Sequence, residues 1–253
     1  MSTTSAPPLD PLKLNLKKAY DSITPFYNEW TKSSHPIRIQ YITKLIEHLT
    51  RDKPNPNDGD DDKDDGDGLL TILEAGCGGG DPTTSLLAQT KNPRTGRARF
   101  KIIANDISSA QLEIAATRLA EFKDRVELRG GDMMALSFDA GSLDAVVGMY
   151  SFIHLPREEQ VVFLKRLYGW LKPGGWFLGN FAVEEREEVF DEGWLGSGVD
   201  GGVMFWSGWG AERMCEILGE TGFEVVVRDV VTDLEENDGG KIEVPFIWVL
   251  GRK

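Results

Sequence analysis

Ile72-Leu73-Glu74-Ala75-Gly76-Cys77-Gly78-Gly79-Gly80-Asp81-Pro82 constrains this chain more than any other segment. An apolar run, Leu69–Ala75, leads straight into a turn with four glycines in the five positions 76–80. Glycine supplies positive φ angles and lets a ligand approach the backbone closely. Asp81 suits a helix N-cap and Pro82 a first helical position, so a helix is predicted to follow. Strand, glycine turn and helix in that order make a ligand cradle at the carboxyl end of a strand, where open α/β sheets bind ligands. A tight turn with no ligand is the competing reading. A dinucleotide fingerprint needs a third glycine at position 81, where Asp81 stands, and a carboxylate there would oppose a pyrophosphate. A phosphate loop needs Gly-Lys-Ser/Thr, which is absent. Glu74, just before the turn, suits a cationic group.

The rest of the chain sets that cradle in an alternating pattern. Strands are predicted over Phe100–Asp106, Arg125–Leu128, Leu143–Met149, Gly175–Ala182, Phe223–Val231 and Val244–Leu250. Helical stretches separate them: one through Phe122, one over Pro156–Leu171 and one over Ala211–Thr221. Strands alternating with helices of this length argue an α/β fold with a doubly wound parallel sheet. Residues 12–50 carry helical periodicity, with Leu12, Leu16 and Ala19 in one pattern and Ile39, Ile42, Leu45, Ile46 and Leu49 in a second after Pro36. Residues 1–11 read as a disordered tail, and 12–253 as a single domain.

Charge excludes some functions. The 253 residues carry 28 Lys and Arg against 41 Asp and Glu, a net charge of −13. Such a surface repels phosphate backbones, so a nucleic-acid coat is not expected. Nearly half of that charge lies in 52–68, which holds eight aspartates and two lysines. Read as a calcium loop starting at Asp60, that stretch has Asp65 where glycine is needed and Thr71 where glutamate is needed. It reads instead as a solvated acidic loop. Two cysteines and three histidines offer neither a disulfide framework nor a zinc spacing, so no metal is expected. No apolar run approaches the ~18 residues of a membrane span, and Met1–Asp10 lacks the layout of a secretory signal. From these absences we expect a cytoplasmic chain, monomeric or homodimeric, with no membrane or nucleic-acid partner.

Glu-Ala-Gly-Cys-Gly-Gly-Gly resembles the first motif of the class I S-adenosylmethionine-dependent methyltransferases, in their small-molecule branch. The resemblance covers roughly residues 20–182. It implies a Rossmann-like seven-stranded sheet, mostly parallel with an antiparallel C-terminal strand, helices on both faces, and S-adenosyl-L-methionine as cofactor. It also implies that Glu74 and the backbone at Gly76, Cys77 and Gly78 receive the methionine end. Asp106 closes the second predicted strand, where a carboxylate can accept two ribose hydroxyls. It lies 30 residues after Gly76 rather than the usual ~20, and an insert over Lys91–Arg99 accounts for the excess. By resemblance Asp106 is the ribose acid and Ile107 packs on the adenine; a helix-capping role is compatible. Gly130-Gly131-Asp132-Met133 falls where the family reads adenine, with Asp132 facing the amino group and Met133 the ring. Gly148-Met149-Tyr150-Ser151 ends the fourth strand, placing Met149 beneath the cofactor. Asp144 and the turn Lys172-Pro173-Gly174-Gly175 are structural in the family. Tyr20 and Tyr27 stand in a segment like the one that closes over the cofactor, where Tyr20 or Tyr27 can bond the methionine carboxylate or simply pack.

His154-Leu155-Pro156 matches a tripeptide of the small-molecule branch. His154, with a pKa near working pH, can act as a general base or be structural; Tyr150 and Tyr27 are the other catalytic candidates. Residues 183–210 show no clear period, but hold Phe190, Trp194, Phe205, Trp206 and Trp209 among seven glycines from 193 to 210. They read as a substrate lid, with Trp194, Phe205 and Trp206 as an aromatic wall for an apolar or aromatic small molecule, or for an amine. The motif for base or Gln amino methylation, Asn/Asp-Pro-Pro-Tyr/Phe, is absent after the fourth strand. The expected activity is in-line methyl transfer to an N, O or C nucleophile of a small molecule. The alternatives are a protein substrate, a nicotinamide oxidoreductase, or a cofactor-binding scaffold without turnover.

Overall fold

A computed structural model describes residues 9–51, 68–93, 95–237 and 240–253. Most of the expected tail and nearly all of the acidic loop, residues 1–8 and 52–67, lie outside the described residues. Helix α1 spans Pro11–Trp30 and α2 His35–Arg51, with a 3-10 turn between them. The strands are β1 (Leu70–Ala75), β2 (Phe100–Asp106), β3 (Val126–Gly130), β4 (Leu143–Gly148), β5 (Leu171–Ala182), β6 (Glu185–Asp191), β7 (Met204–Trp209), β8 (Glu224–Asn237) and β9 (Gly240–Arg252). The remaining helices are α3 (Thr83–Gln89), α4 (Ser109–Arg118), α5 (Arg157–Trp170) and α6 (Ala211–Thr221).

Seven strands form one sheet in the order β3-β2-β1-β4-β5-β9-β8. Pairing is parallel from β3 through β5, and β9 runs antiparallel to both β5 and β8. This is the Rossmann-like, doubly wound sheet expected from the sequence. The winding reverses between β1 and β4, so their carboxyl ends flank the crevice where such sheets bind ligands. Nearly continuous apolar strands are what burial on both faces requires. One core layer joins Tyr41, Ile42 and Leu45 of α2 and Leu87 of α3 to Ile72 and Trp248. The other packs Phe163 and Leu167 of α5 and Met214 and Leu218 of α6 against Leu73 and Phe177. Each such fully buried side chain contributes about 1.5–3 kcal/mol. Asp144 joins neighbouring strands, its Oδ2 accepting from the Thr71 amide at 2.8 Å and from Lys172 Nζ at 2.7 Å.

Three local readings are corrected. Asp81 does not cap α3: it is exposed, the helix starts at Thr83, and the Gly80 carbonyl accepts both the amide and the hydroxyl of Ser85 at 2.9 Å. The 183–210 insert is partly regular. β6 and β7 pair antiparallel around a 3-10 stretch, Trp194–Asp200. No period showed because β6 is mostly exposed Glu and Arg, while β7 is largely buried. The β8–β9 hairpin runs beyond its predicted ends, from Glu224↔Arg252 to Asn237↔Gly240, through polar residues that carry no apolar signal.

Candidate active site

The cradle begins where β1 ends. The Gly76 and Cys77 amides both donate to the Asn105 carbonyl, at 2.8 and 2.9 Å, which ties the turn to the end of β2. Gly76 has φ +83°, and a Cβ there would stand 2.4 Å from Cβ of Ser151. No other residue fits. Gly78 donates its amide to Asp106 Oδ2 at 2.7 Å, while Oδ1 accepts from the Ser108 amide at 2.8 Å. Ser108, not Asp106, caps α4. An ionised carboxylate offers about four acceptor sites, so Asp106 keeps capacity for a diol. Burial raises its pKa to about 6, against the lowering effect of those two amides.

Glu74 is buried, with its Oε2 accepting from the Thr84 hydroxyl at 2.6 Å. Burial pushes its pKa up to about 8, and the nearby Arg38 charge only partly opposes this. Asp132 accepts the Met134 amide at 2.9 Å and stands beside Met133. One pocket is lined by all ten residues expected at the cofactor: Tyr20, Glu74, Gly76, Cys77, Gly78, Asp106, Ile107, Asp132, Met133 and Met149.

Helix α1 roofs this pocket. Lys13, only 5% exposed, sends its ammonium to Asp132 and Glu159, each at 2.8 Å. Asp21 accepts from the Ser108 hydroxyl at 2.7 Å and the Ala110 amide at 3.2 Å, pinning α1 to the start of α4. Beside the pocket lies a cleft of about 1040 Å³. Tyr20, Tyr27, Thr31, Arg38, Tyr150 and His154 line both, so they form the boundary between them.

His154 is nearly fully buried at that boundary. Its Nδ1 lies 2.7 Å from the Phe205 carbonyl, which can only accept, so Nδ1 carries the proton. Nε2 is then an acceptor, and the Tyr20 hydroxyl donates to it at 2.7 Å. Burial lowers the His154 pKa to about 4, so the ring is neutral, and burial raises that of Tyr20 well above the ordinary phenol value. Tyr150 holds an unusual φ of +55°, fixed by its amide donating to Asn180 Oδ1 at 2.6 Å and its hydroxyl donating to Asp233 Oδ2 at 2.5 Å. Arg38 covers the Tyr150 ring at 4.5 Å.

Trp194 and Trp206 line the cleft, with ring centroids 5.5 Å apart. Phe205, expected beside them, does not: its buried ring packs against Phe190 at 5.2 Å, and its carbonyl orients His154. Adjacent strand residues point to opposite faces, so Trp206 and Phe205 cannot both face the cleft.

Sequence reasoning missed Lys13, Asn28, Arg38 and Gln111, which also line the cofactor-side pocket. Lys13 had a signal: it lies three residues before Leu16 on the buried face of α1, where a lone lysine needs a partner. Gln111 is 1% exposed, yet neither of its amide atoms has a partner among the described residues, nor has Asn28 Nδ2. Buried polar atoms normally are satisfied, so a polar ligand in the pocket fits their chemistry. Glu74 and Arg38 suit a zwitterionic amino-acid end, and Asp106 and Asp132 suit a nucleoside. Among the described residues no cluster of three or more His, Cys, Asp or Glu could hold a metal ion, and no helix is long and apolar enough to cross a membrane.

Residues 72–175 match the family described as "Methyltransferase domain". A demethylmenaquinone methyltransferase of Lactococcus lactis is 37% identical over 107 residues, covering 42% of this chain and 39% of that protein. A sterol 24-C-methyltransferase of Saccharomyces cerevisiae is 27% identical over 188 residues, covering 71% of this chain and 44% of that protein. The matches thus span about two fifths of these relatives' own lengths. The crystal structure of a Burkholderia thailandensis 1,6-didemethyltoxoflavin-N1-methyltransferase, with 1,6-didemethyltoxoflavin and S-adenosylhomocysteine bound, aligns with a TM-score of 0.64. That alignment covers 99% of this chain and 93% of the other at 14% identity, a likeness of fold.

Proposed function

We propose that this chain is a class I S-adenosylmethionine-dependent methyltransferase and that it methylates an N, O or C nucleophile of a small molecule bound in the larger cleft. The observation that carries this reading is the pair of adjoining compartments: a nucleoside- and amino-acid-suited pocket that shares Tyr20, Tyr150 and His154 with a second cleft large enough for an acceptor.

When bound, S-adenosylmethionine supplies an electrophilic methyl group on a sulfonium. Glu74 would hold its ammonium and Arg38 its carboxylate, against the backbone of Gly76, Cys77 and Gly78. Asp106 would accept hydrogen bonds from the ribose hydroxyls and Asp132 one from the adenine amino group, with Ile107, Met133 and Met149 lining the same pocket. The protein's main contribution is register, since orientation supplies about 7–11 kcal/mol of such a barrier. Tyr20, Tyr27 and Tyr150 shape the boundary between the compartments and keep bulk water from it. Where the acceptor atom carries a proton, the path leads to the Tyr20 oxygen while the Tyr20 proton moves to His154 Nε2, because Tyr20 occupies the only free lone pair of that ring. Trp194 and Trp206 wall the acceptor, and Phe205 positions His154.

Isothermal titration with S-adenosylmethionine and S-adenosylhomocysteine tests the pocket. Micromolar binding of both, followed by transfer of labelled methyl to a panel of amines, phenols and carboxylic acids, is the expected result. Failure of both ligands to bind would refute the assignment.

A further inference from the structure

We propose that the acceptor is a cation, an amine protonated at neutral pH, recognised by Glu235 on β8 together with the aromatic wall formed by Tyr27, Trp30, Trp194 and Trp206. The inference rests on the two-compartment reading above and narrows it to a substrate class.

The aromatic wall is continuous. Tyr27 stacks on Trp30 at 6.0 Å, Trp30 meets Trp194 edge-on at 5.5 Å, and Trp194 meets Trp206 edge-on at 5.5 Å. All four rings line the cleft, and ring faces attract cations. The same cleft is lined on β8 by Asp233 and Glu235, two residues apart and so on one face of the strand.

The charges in the cleft separate cleanly. Glu29 pairs with Lys32 at 2.7 Å, Glu184 with Arg186 at 3.0 Å, and Asp191 accepts the Gly193 amide at 2.7 Å. Asp233 accepts the Tyr150 hydroxyl and lies in the field of Arg38, whose charge is shared with Glu74. Lys241 is exposed. Glu235 is half-buried, and among the described residues no hydrogen bond or ion pair reaches its carboxylate. A sheltered carboxylate without a counter-ion is costly, and burial together with neighbouring Asp233 raises its pKa to about 7. A cationic ligand opposite an aromatic wall resolves that cost. An apolar acceptor would leave it in place, and an anionic one would add to it.

The test uses three probes of similar shape: 2-phenylethylamine, 2-phenylethanol and 3-phenylpropanoate. Each is titrated into the full chain with and without S-adenosylhomocysteine, followed by calorimetry and tryptophan fluorescence. The amine should bind about tenfold tighter than the alcohol, as ion pairing plus a cation–π contact implies, and the carboxylate should bind weakest. Glu235→Gln should remove that preference while leaving alcohol binding unchanged. Glu235→Lys should reverse it toward the carboxylate. Circular dichroism confirms that both variants fold. Equal binding of amine and alcohol, amine binding that survives Glu235→Gln unchanged, or no amine binding up to its solubility limit would overturn the inference. Binding of S-adenosylhomocysteine is read separately, so failure of the cofactor pocket is distinguishable from failure of the acceptor assignment.

Discussion

Replacing Glu74 by Gln isolates one carboxylate whose protonation the fold controls. Glu74 is 5% exposed, and burial places its pKa at about 8. Only the ionised form attracts an ammonium group. With a pKa near 8, the ionised fraction is about 1% at pH 6 and about 50% at pH 8. The carboxylate's contribution to binding an aminoacyl cation therefore grows about 50-fold between pH 6 and pH 8, some 2.3 kcal/mol. The ligand's own α-amino group titrates near about 7.7–8.0 and acts the opposite way. Asp106, with a pKa of about 6, titrates in the same window. Both effects cancel in the ratio of wild-type to Glu74→Gln affinity, so that ratio is the quantity to measure. Titration calorimetry with S-adenosylhomocysteine at pH 6, 7 and 8, in two buffers of different ionisation enthalpy, gives the ratio and the protons released. The ratio should rise about 50-fold, and the wild type alone should release an additional proton, close to one per site, at pH 6. A flat ratio, or equal proton release by the two proteins, would refute the reasoning. Stability gives an independent check of sign. The folded pKa lies above the unfolded value, so the ligand-free wild type is most favoured below pH ~4.5 and loses that advantage as pH rises through about 8. The Gln variant should lack this decline in thermal melts.

Asp106→Asn keeps one acceptor for the Gly78 or Ser108 amide but removes the charge; it should weaken S-adenosylhomocysteine binding about 10–50-fold by calorimetry, about 1.4–2.3 kcal/mol, with unchanged circular dichroism. Lys13→Met leaves Asp132 and Glu159 facing each other without their shared cation. With those carboxylates 16% and 31% exposed, a cost of about 1–3 kcal/mol is expected in urea unfolding, below that of a fully buried pair. His154→Gln tests a second titration. The folded His154 pKa of about 4 lies below the unfolded value, so the wild type loses stability as pH falls from ~6.5 through about 4, by at most about 3 kcal/mol, and the variant should lose less over the same range. Tyr20→Phe should reduce turnover of a proton-bearing acceptor more than it changes cofactor affinity, read from kcat against Kd.

Much of the lining of the smaller pocket was legible because its residues answer to local rules. Gly76 is glycine because its φ is positive and Ser151 crowds it. Asp106 and Asp132 sit at strand ends, where the chain pattern alone locates them. What escaped was whatever depends on elements far apart in sequence. Lys13 meets Asp132 across 119 positions and Glu159 across 146, and Tyr150 meets Asp233 across 83. No periodicity records such pairs. Phe205 and Trp206 show the limit on the acceptor side: composition marks both as candidates, but only the register of β7 decides which ring faces the cleft and which lends a carbonyl to His154. Asp81 failed for a related reason, since the choice of cap was settled by how the Gly80 carbonyl engages Ser85.

One helix wall serves both compartments. Along α1, Lys13 and Leu16 line the smaller pocket, Tyr20 and Tyr27 line both compartments, and Trp30 lines the larger cleft. A displacement of α1 at either compartment therefore alters the lining of the other.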